Sequence, residues 1–147
     1  MSLESVPTRG RTLDYAAGIY DVVEPLLLAG REAEINNQLI ALLEIEDSHR
    51  VLDLGCGTGV LSKAIAEKLS AEAGGLSIGI DAAGKMIEGA RKKRGGDTCR
   101  FEVAAAENLP FDDESFDSVT STLFFHHVQL DLKKKALAEA FRVLKPG

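Results

Sequence analysis

The chain has 147 residues, 45% of them apolar and 27% charged, with a formal net charge of −6. That length supports one domain with its own core, in the composition range of ordinary soluble globular chains. An acidic balance does not suit the phosphate neutralisation on which nucleic-acid binding rests, and the chain has neither a polybasic membrane patch nor an apolar run of membrane-spanning length, so a small-molecule or protein partner is expected. Cys56 and Cys99 lie far apart, with no CxxC and no paired histidines at zinc spacing, so neither a disulfide framework nor a metal site is expected. The polar start "MSLESVPTRGR" does not read as a signal peptide, which points to a cytoplasmic location.

In chain order, Tyr15, Ile19, Val22, Val23, Leu26 and Leu27 form one stripe of an amphipathic helix that Pro25 kinks or splits. Ile35, Leu39, Leu42 and Leu43 make a second helical stripe. "RVLDL" (50–54) reads as a short buried strand ending at a glycine cluster. Leu61, Ile65 and Leu69 mark the helix behind it, stopped by "EAGG" (72–75). "LSIGI" (76–80) alternates as a second strand. Met86, Ile87 and Ala90 mark a helix that ends at Gly95-Gly96, and "RFEVA" (100–104) is a third strand. "SVTSTLFF" (118–125) reads as a fourth strand, buried on both faces in a parallel sheet. Leu137, Ala140, Phe141 and Leu144 share a face of a last helix, and "KKK" (133–135) reads as its solvated side.

Alternating strands and helices predict an α/β class: a Rossmann-like, open, mainly parallel sheet of four strands with helices on both faces and further helices at the N-terminus. Residues 1–11 read as a tag-like, disordered start and 12–147 as the domain. The chain stops at "LKPG", where the pattern should feed a fifth strand. Four strands would leave an apolar edge that proteins normally cover. The expectation is therefore a domain incomplete at its C-terminus, or one that pairs through this edge with another chain, a second copy included.

"VLDLGCGTGVL" (51–61) places Gly55, Gly57 and Gly59 between a strand and a helix. Open α/β sheets bind ligands there, outside the carboxyl ends of the strands, and glycine lets a ligand approach the backbone. The spacing is G-x-G-x-G. Val60 stands where the dinucleotide fingerprint G-x-G-x-x-G has its third glycine, which weakens a pyrophosphate reading. Asp81, at the end of the second strand, can accept both hydroxyls of a ribose and would repel a 2′-phosphate. Its alternative role is to cap the helix that starts near Ala82.

These residues resemble the class I S-adenosylmethionine-dependent methyltransferases, in the branch that holds the ubiquinone/menaquinone-biosynthesis and similar small-molecule enzymes. "VLDLGCGTG" is similar to the family's first motif and "GIDAAGKMI" (79–87) to its ribose motif. "AENLPFDDESFDSV" (106–119) is similar to its loop into strand four, and "FRVLKPG" (141–147) to its turn before strand five. "YDVV" (20–23) is similar to an aromatic-acidic pair in its N-terminal helices. The resemblance runs from about residue 15 to the end. It implies S-adenosyl-L-methionine as cofactor, and a site made of Tyr20, Asp53, Gly55, Cys56, Gly57, Gly59, Asp81, Ala82, Met86, Ala106, Glu107 and Leu109. In it the glycines make room for the methionine part, Asp53 holds the amino group directly or through water, and Asp81 takes the ribose. Met86 and Leu109 pack on the adenine, and Tyr20 closes over the sulfonium; Met86 reads equally well as ordinary helix core. The family usually has Asp where Ala105 stands, to accept from the adenine amino group. Here Glu107 or the Ala106 backbone would have to substitute.

Methyl transfer is an in-line displacement in which the protein mainly positions the partners and excludes water. Carbon or alcohol acceptors also need a base. His126 and His127, past the fourth strand, are the catalytic candidates, with packing or helix entry as their alternative. The expected function is methyl transfer to a small-molecule acceptor, without nucleic acid, membrane or metal. The alternatives are a non-catalytic cofactor-binding or oligomerisation module and, disfavoured by the glycine spacing, an NAD-dependent enzyme.

Overall fold

The computed structural model describes residues 3–8, 31–122 and 124–147. The helical stripe expected over 15–27, with Pro25, lies outside the described residues. Helix α1 (Glu32–Leu42) leads to β1 (Arg50–Leu54), α2 (Val60–Ala66), β2 (Leu76–Asp81), α3 (Gly84–Arg94), β3 (Cys99–Val103), β4 (Ser118–Thr120), a 3-10 turn (Phe124–His127) and α4 (Leu130–Val143). The strands form one parallel sheet in the order β3-β2-β1-β4. This is the Rossmann-like α/β sheet that the alternation predicts.

Period two in the strands explains the layering. Leu52, Leu54, Ile78 and Ile80 share one buried cluster with Ala136, Ala140 and Val143 of α4. Val51 packs with Ile40 of α1 and with Leu61 and Ile65 of α2, while Cys99 and Phe101 pack with Ala66, Ile87 and Ala90. The sheet is therefore covered by α4 on one face and by α1–α3 on the other. Among the described residues no helix is long and apolar enough to cross a membrane.

Two expected elements are shorter than read. The fourth strand, expected over 118–125, ends at Thr120. Ser121 Oγ donates to the Leu54 carbonyl at 3.0 Å and turns the chain out of the ladder. Phe124 then packs beside Gly55, and Phe125 meets it edge to face at 5.2 Å. Its strand residues Ser118 and Val119 are only half-buried, because β4 is the end strand of the described sheet. Helix α2 ends at Ala66, well before "EAGG", and a series of turns reaches Gly75. After α4, Leu144 pairs in parallel with Phe116, and Lys145 N–H donates to the Phe116 carbonyl at 2.9 Å.

Candidate cofactor site

The β1–α2 turn is built from left-handed backbone: φ is +69° at Gly55, +54° at Gly57 and +86° at Gly59. Side chains at such angles are strained, which explains the alternation of glycines. The three positions differ in what a side chain would meet. At Gly55 a Cβ would strike Phe124, and at Gly59 it would strike Phe101 and Ala90. At Gly57 no described atom lies within 4 Å. Two of the glycines thus admit the protein's own rings, and Gly57 presents bare backbone to open space.

Asp81 ends β2 beside this turn. Its Oδ2 accepts from Gly57 N–H at 3.1 Å and its Oδ1 from Ala83 N–H at 2.8 Å. Cys56 N–H donates to the Ile80 carbonyl at 2.8 Å, closing the turn onto β2. One carboxylate therefore joins the glycine turn to the entry of α3. Ala83 is the N-cap of α3, without a side-chain cap bond, so the capping role expected as the alternative for Asp81 is not the one it plays; its bond to Ala83 closes the turn ahead of the helix and coexists with the bond to Gly57.

Asp53 lies below the turn, 2% exposed, and accepts from Ser62 Oγ at 2.6 Å. Ser62 is in turn anchored by Ser77 Oγ, which donates to its carbonyl at 2.8 Å. Gly79 leaves the space that the Ser62 hydroxyl fills. Burial lifts the Asp53 carboxyl from 3.8 to about 7; the Asp81 charge adds to the rise and the Ser62 hydrogen bond opposes it. Burial also pushes the Cys56 thiol well up, helped by Asp53 and Asp81, so Cys56 remains a thiol rather than a nucleophilic thiolate.

The loop after β3 runs alongside. Ala104 N–H donates to the Asp81 carbonyl at 3.0 Å, and Asn108 N–H to the Ala105 carbonyl at 3.0 Å. Ala105, Ala106 and Leu109 are buried. Leu109 is clamped from α4: its N–H donates to Glu139 Oε2 at 2.7 Å and its carbonyl accepts from Arg142 at 3.1 Å. Arg142 also holds the Phe111 carbonyl at 2.8 Å and Asp113 at 2.7 Å.

The structure brings Asp53, Gly55, Cys56, Gly57, Gly59, Asp81 and Ala82 to the carboxyl ends of β1 and β2, with Ala106, Glu107 and Leu109 past the end of β3. Met86 is buried on α3. His126 and His127 lie on the 3-10 turn after β4, their side chains outside the description, and Tyr20 lies outside the described residues. Sequence reasoning missed Ser62, Glu139 and Arg142. A serine among the apolar positions of α2 was a usable signal for the first. The other two carry none beyond their i, i+3 spacing.

Residues 3–8, which the sequence assigned to a structureless start, cross the same loops. Gly84 N–H donates to Ser5 Oγ at 3.0 Å, Val6 N–H to the Ala82 carbonyl at 3.1 Å, and Thr8 Oγ1 to Glu107 Oε1 at 2.6 Å.

A glycine turn and an acidic strand end at the carboxyl edge of an open parallel sheet define an α/β domain of the ligand-binding Rossmann type. A family profile described as a methyltransferase domain matches residues 51–147. The chain belongs to this methyltransferase-domain family. It is similar to the demethylmenaquinone methyltransferase of Lactiplantibacillus plantarum, with 33% identity over 93% of this chain and 61% of that protein. It is also similar to the ubiquinone/menaquinone biosynthesis C-methyltransferase of Desulfotalea psychrophila, with 31% identity over 99% and 57%. In three dimensions it resembles the methyltransferase solved in complex with the Haloferax volcanii Trm112 methyltransferase activator. There the TM-score is 0.75 at 28% identity, over 96% of this chain and 58% of that one. The chain thus spans roughly three-fifths of the length of these three proteins.

Proposed function

We propose that the chain binds S-adenosylmethionine across the carboxyl ends of β1–β3 and acts in the in-line transfer of its methyl group to a small-molecule acceptor. The observation that carries this reading is the placement of Asp81 on the N–H of Gly57, a residue whose side-chain position faces open space. A carboxylate with two oxygens there suits the two hydroxyls of a ribose, and the uncrowded Gly57 backbone suits an amino-acid tail. Asp53, next to that tail, offers a negative charge for its ammonium group. Membership of the methyltransferase-domain family supports the same cofactor.

When bound, the cofactor supplies a sulfonium methyl group, an electrophile that needs no further activation. The chain's own residues hold it: Asp81 the sugar, the glycine turn and Asp53 the amino-acid end, Met86 and Leu109 the base. His126 and His127 follow β4 on the acceptor side and are the candidates to take a proton from a carbon or alcohol acceptor. The relatives' names make a demethylmenaquinone the first acceptor to assay. His126→Ala or His127→Ala should slow turnover on an acceptor that needs a base.

Calorimetry with S-adenosylmethionine, S-adenosylhomocysteine and NAD tests the reading. The first two should bind and NAD should not. Asp81→Ala should weaken binding by about a hundredfold, the loss of two charge-assisted hydrogen bonds. Binding of NAD alone would transfer the site to the dinucleotide class. Cofactor binding without turnover of any acceptor would leave a non-catalytic module.

A further inference from the structure

We propose that residues 3–8 are a strap seated on the turn that follows Asp81, with Ser5 as a positioning residue that supplies the cap α3 lacks, and that strap seating and cofactor binding favour one another. This rests on the cofactor reading above. Helix α3 begins at Gly84 behind Ala83, whose methyl group cannot satisfy the free N–H groups of a helix start. Ser5 does so from 79 residues away: its Oγ accepts from Gly84 N–H at 3.0 Å. One residue on, Val6 N–H donates to the Ala82 carbonyl at 3.1 Å. Between these two bonds lies Ala83, whose N–H donates to Asp81 Oδ1 at 2.8 Å. The Asp81 carboxylate and the strap therefore grip the same turn, residues 81–84.

The strap has two further anchors. Leu3 packs on the cluster of Ile87, Ala90 and Phe101. Thr8 Oγ1 donates to Glu107 Oε1 at 2.6 Å, in the loop that runs on from Ala104, whose own N–H donates to the Asp81 carbonyl. The strap thus spans the carboxyl ends of β2 and β3, where the cofactor reading puts the sugar and the base. Gly84 is what lets it seat, because a Cβ there would collide with the Leu3 and Glu4 backbone. A ligand that needs the Asp81 turn in this shape binds the seated form better than the unseated one. By linkage, the same factor by which seating tightens the ligand is the factor by which the ligand tightens the seat. Ser5 acts through the turn rather than on the reacting atoms.

Hydrogen exchange of the Val6 amide, followed by NMR on the full chain with and without S-adenosylhomocysteine, measures how often the strap opens. Saturating ligand should slow that exchange by about tenfold. Calorimetry should find the same ligand bound about tenfold more weakly by Gly84→Ala, which blocks the seat. Ser5→Ala should speed Val6 exchange in the ligand-free chain by about fivefold, the loss of one cap, and Ser5→Thr, which keeps the hydroxyl, should restore it. A serine that merely stabilises α3 would leave Val6 exchange indifferent to the ligand. Ligand binding that leaves Val6 exchange unchanged or faster, or a Gly84→Ala chain that binds as tightly as wild type, overturns the coupling and leaves the cofactor reading intact. Unchanged Val6 exchange in Ser5→Ala overturns the role of Ser5. Failure of the wild-type chain to bind S-adenosylhomocysteine overturns the strap and the cofactor reading together.

Discussion

Ser62 Oγ lies 2.6 Å from Asp53 Oδ2, and both residues are buried beneath the glycine turn. The bond favours the ionised carboxylate, yet burial prevails and Asp53 titrates at about 7 against an ordinary 3.8. Between those values the folded protein keeps a proton that the unfolded chain has released. Stability from this group therefore falls as pH rises through the window, and the full cost is present above it. Asp53→Asn keeps an acceptor for Ser62 and removes the titration. The difference in Tm between Asn variant and wild type should grow from pH 5 to pH 8 in favour of the variant, by several degrees. Parallel Tm curves would contradict the shift.

The same proton links pH to ligand. An ammonium group beside Asp53 favours its ionised form, so cofactor binding should expel a proton at pH 6–7. Calorimetric enthalpies should then depend on the ionisation enthalpy of the buffer, and affinity should rise from pH 5.5 to pH 8. Both effects should vanish in Asp53→Asn.

Gly57 and Gly59 differ in kind. Gly59→Ala meets left-handed strain at φ +86° and a collision with Phe101, a ring 2% exposed that cannot step aside freely. It should destabilise the fold by about 3 kcal/mol or more, as overpacking and backbone strain add. Gly57→Ala meets strain alone, about 1–2 kcal/mol. It nevertheless places a methyl group where the ligand should lie, so it should bind cofactor at least about tenfold more weakly while staying folded. Denaturant midpoints and calorimetry on the two variants give opposite rankings if this division holds.

The division also marks what was legible in the sequence. The buried run "RVLDL" before the glycines and the alternation of "LSIGI" matched β1 and β2 almost to the residue, because one face of each strand packs on α4 and the other on α1–α3. The glycine turn and Asp81 were legible because left-handed backbone and a strand-end carboxylate leave residue-type signatures. The end of the fourth strand was not legible because "TLFF" has strand composition, while Phe124 packs beside Gly55, a contact remote in sequence, and Phe125 packs on Phe124. The Arg142 clamp and the path of residues 3–8 are tertiary hydrogen bonds with no local pattern.

Arg142 directs its donors at Glu139, Asp113 and the carbonyls of Leu109 and Phe111. The guanidinium hydrogen bonds hold the Glu139 carboxyl below its ordinary range. This contribution is present above the ordinary glutamate range and is lost as pH falls below that range and through the lowered folded-state value. A lysine presents a single ammonium and cannot span that fork. Arg142→Lys should therefore behave more like Arg142→Ala than like wild type. Both should lower Tm and weaken cofactor binding through the loosened Leu109 loop, and in both the acid-side loss of stability attributable to Glu139 should shrink.

Ala105 stands where the resembling family has a carboxylate for the adenine amino group. The residue is 8% exposed and its carbonyl already closes the turn with Asn108. Ala105→Asp supplies the missing acceptor without disturbing that backbone bond. A hydrogen bond to a charged group contributes about 1.5–3 kcal/mol, so affinity for S-adenosylmethionine should rise about tenfold or more. The cost is a second carboxylate near Glu107 in a buried loop, which should lower the Tm of the ligand-free chain. Unchanged or weaker binding by Ala105→Asp would mean that the absent carboxylate at this position is not a gap in adenine recognition.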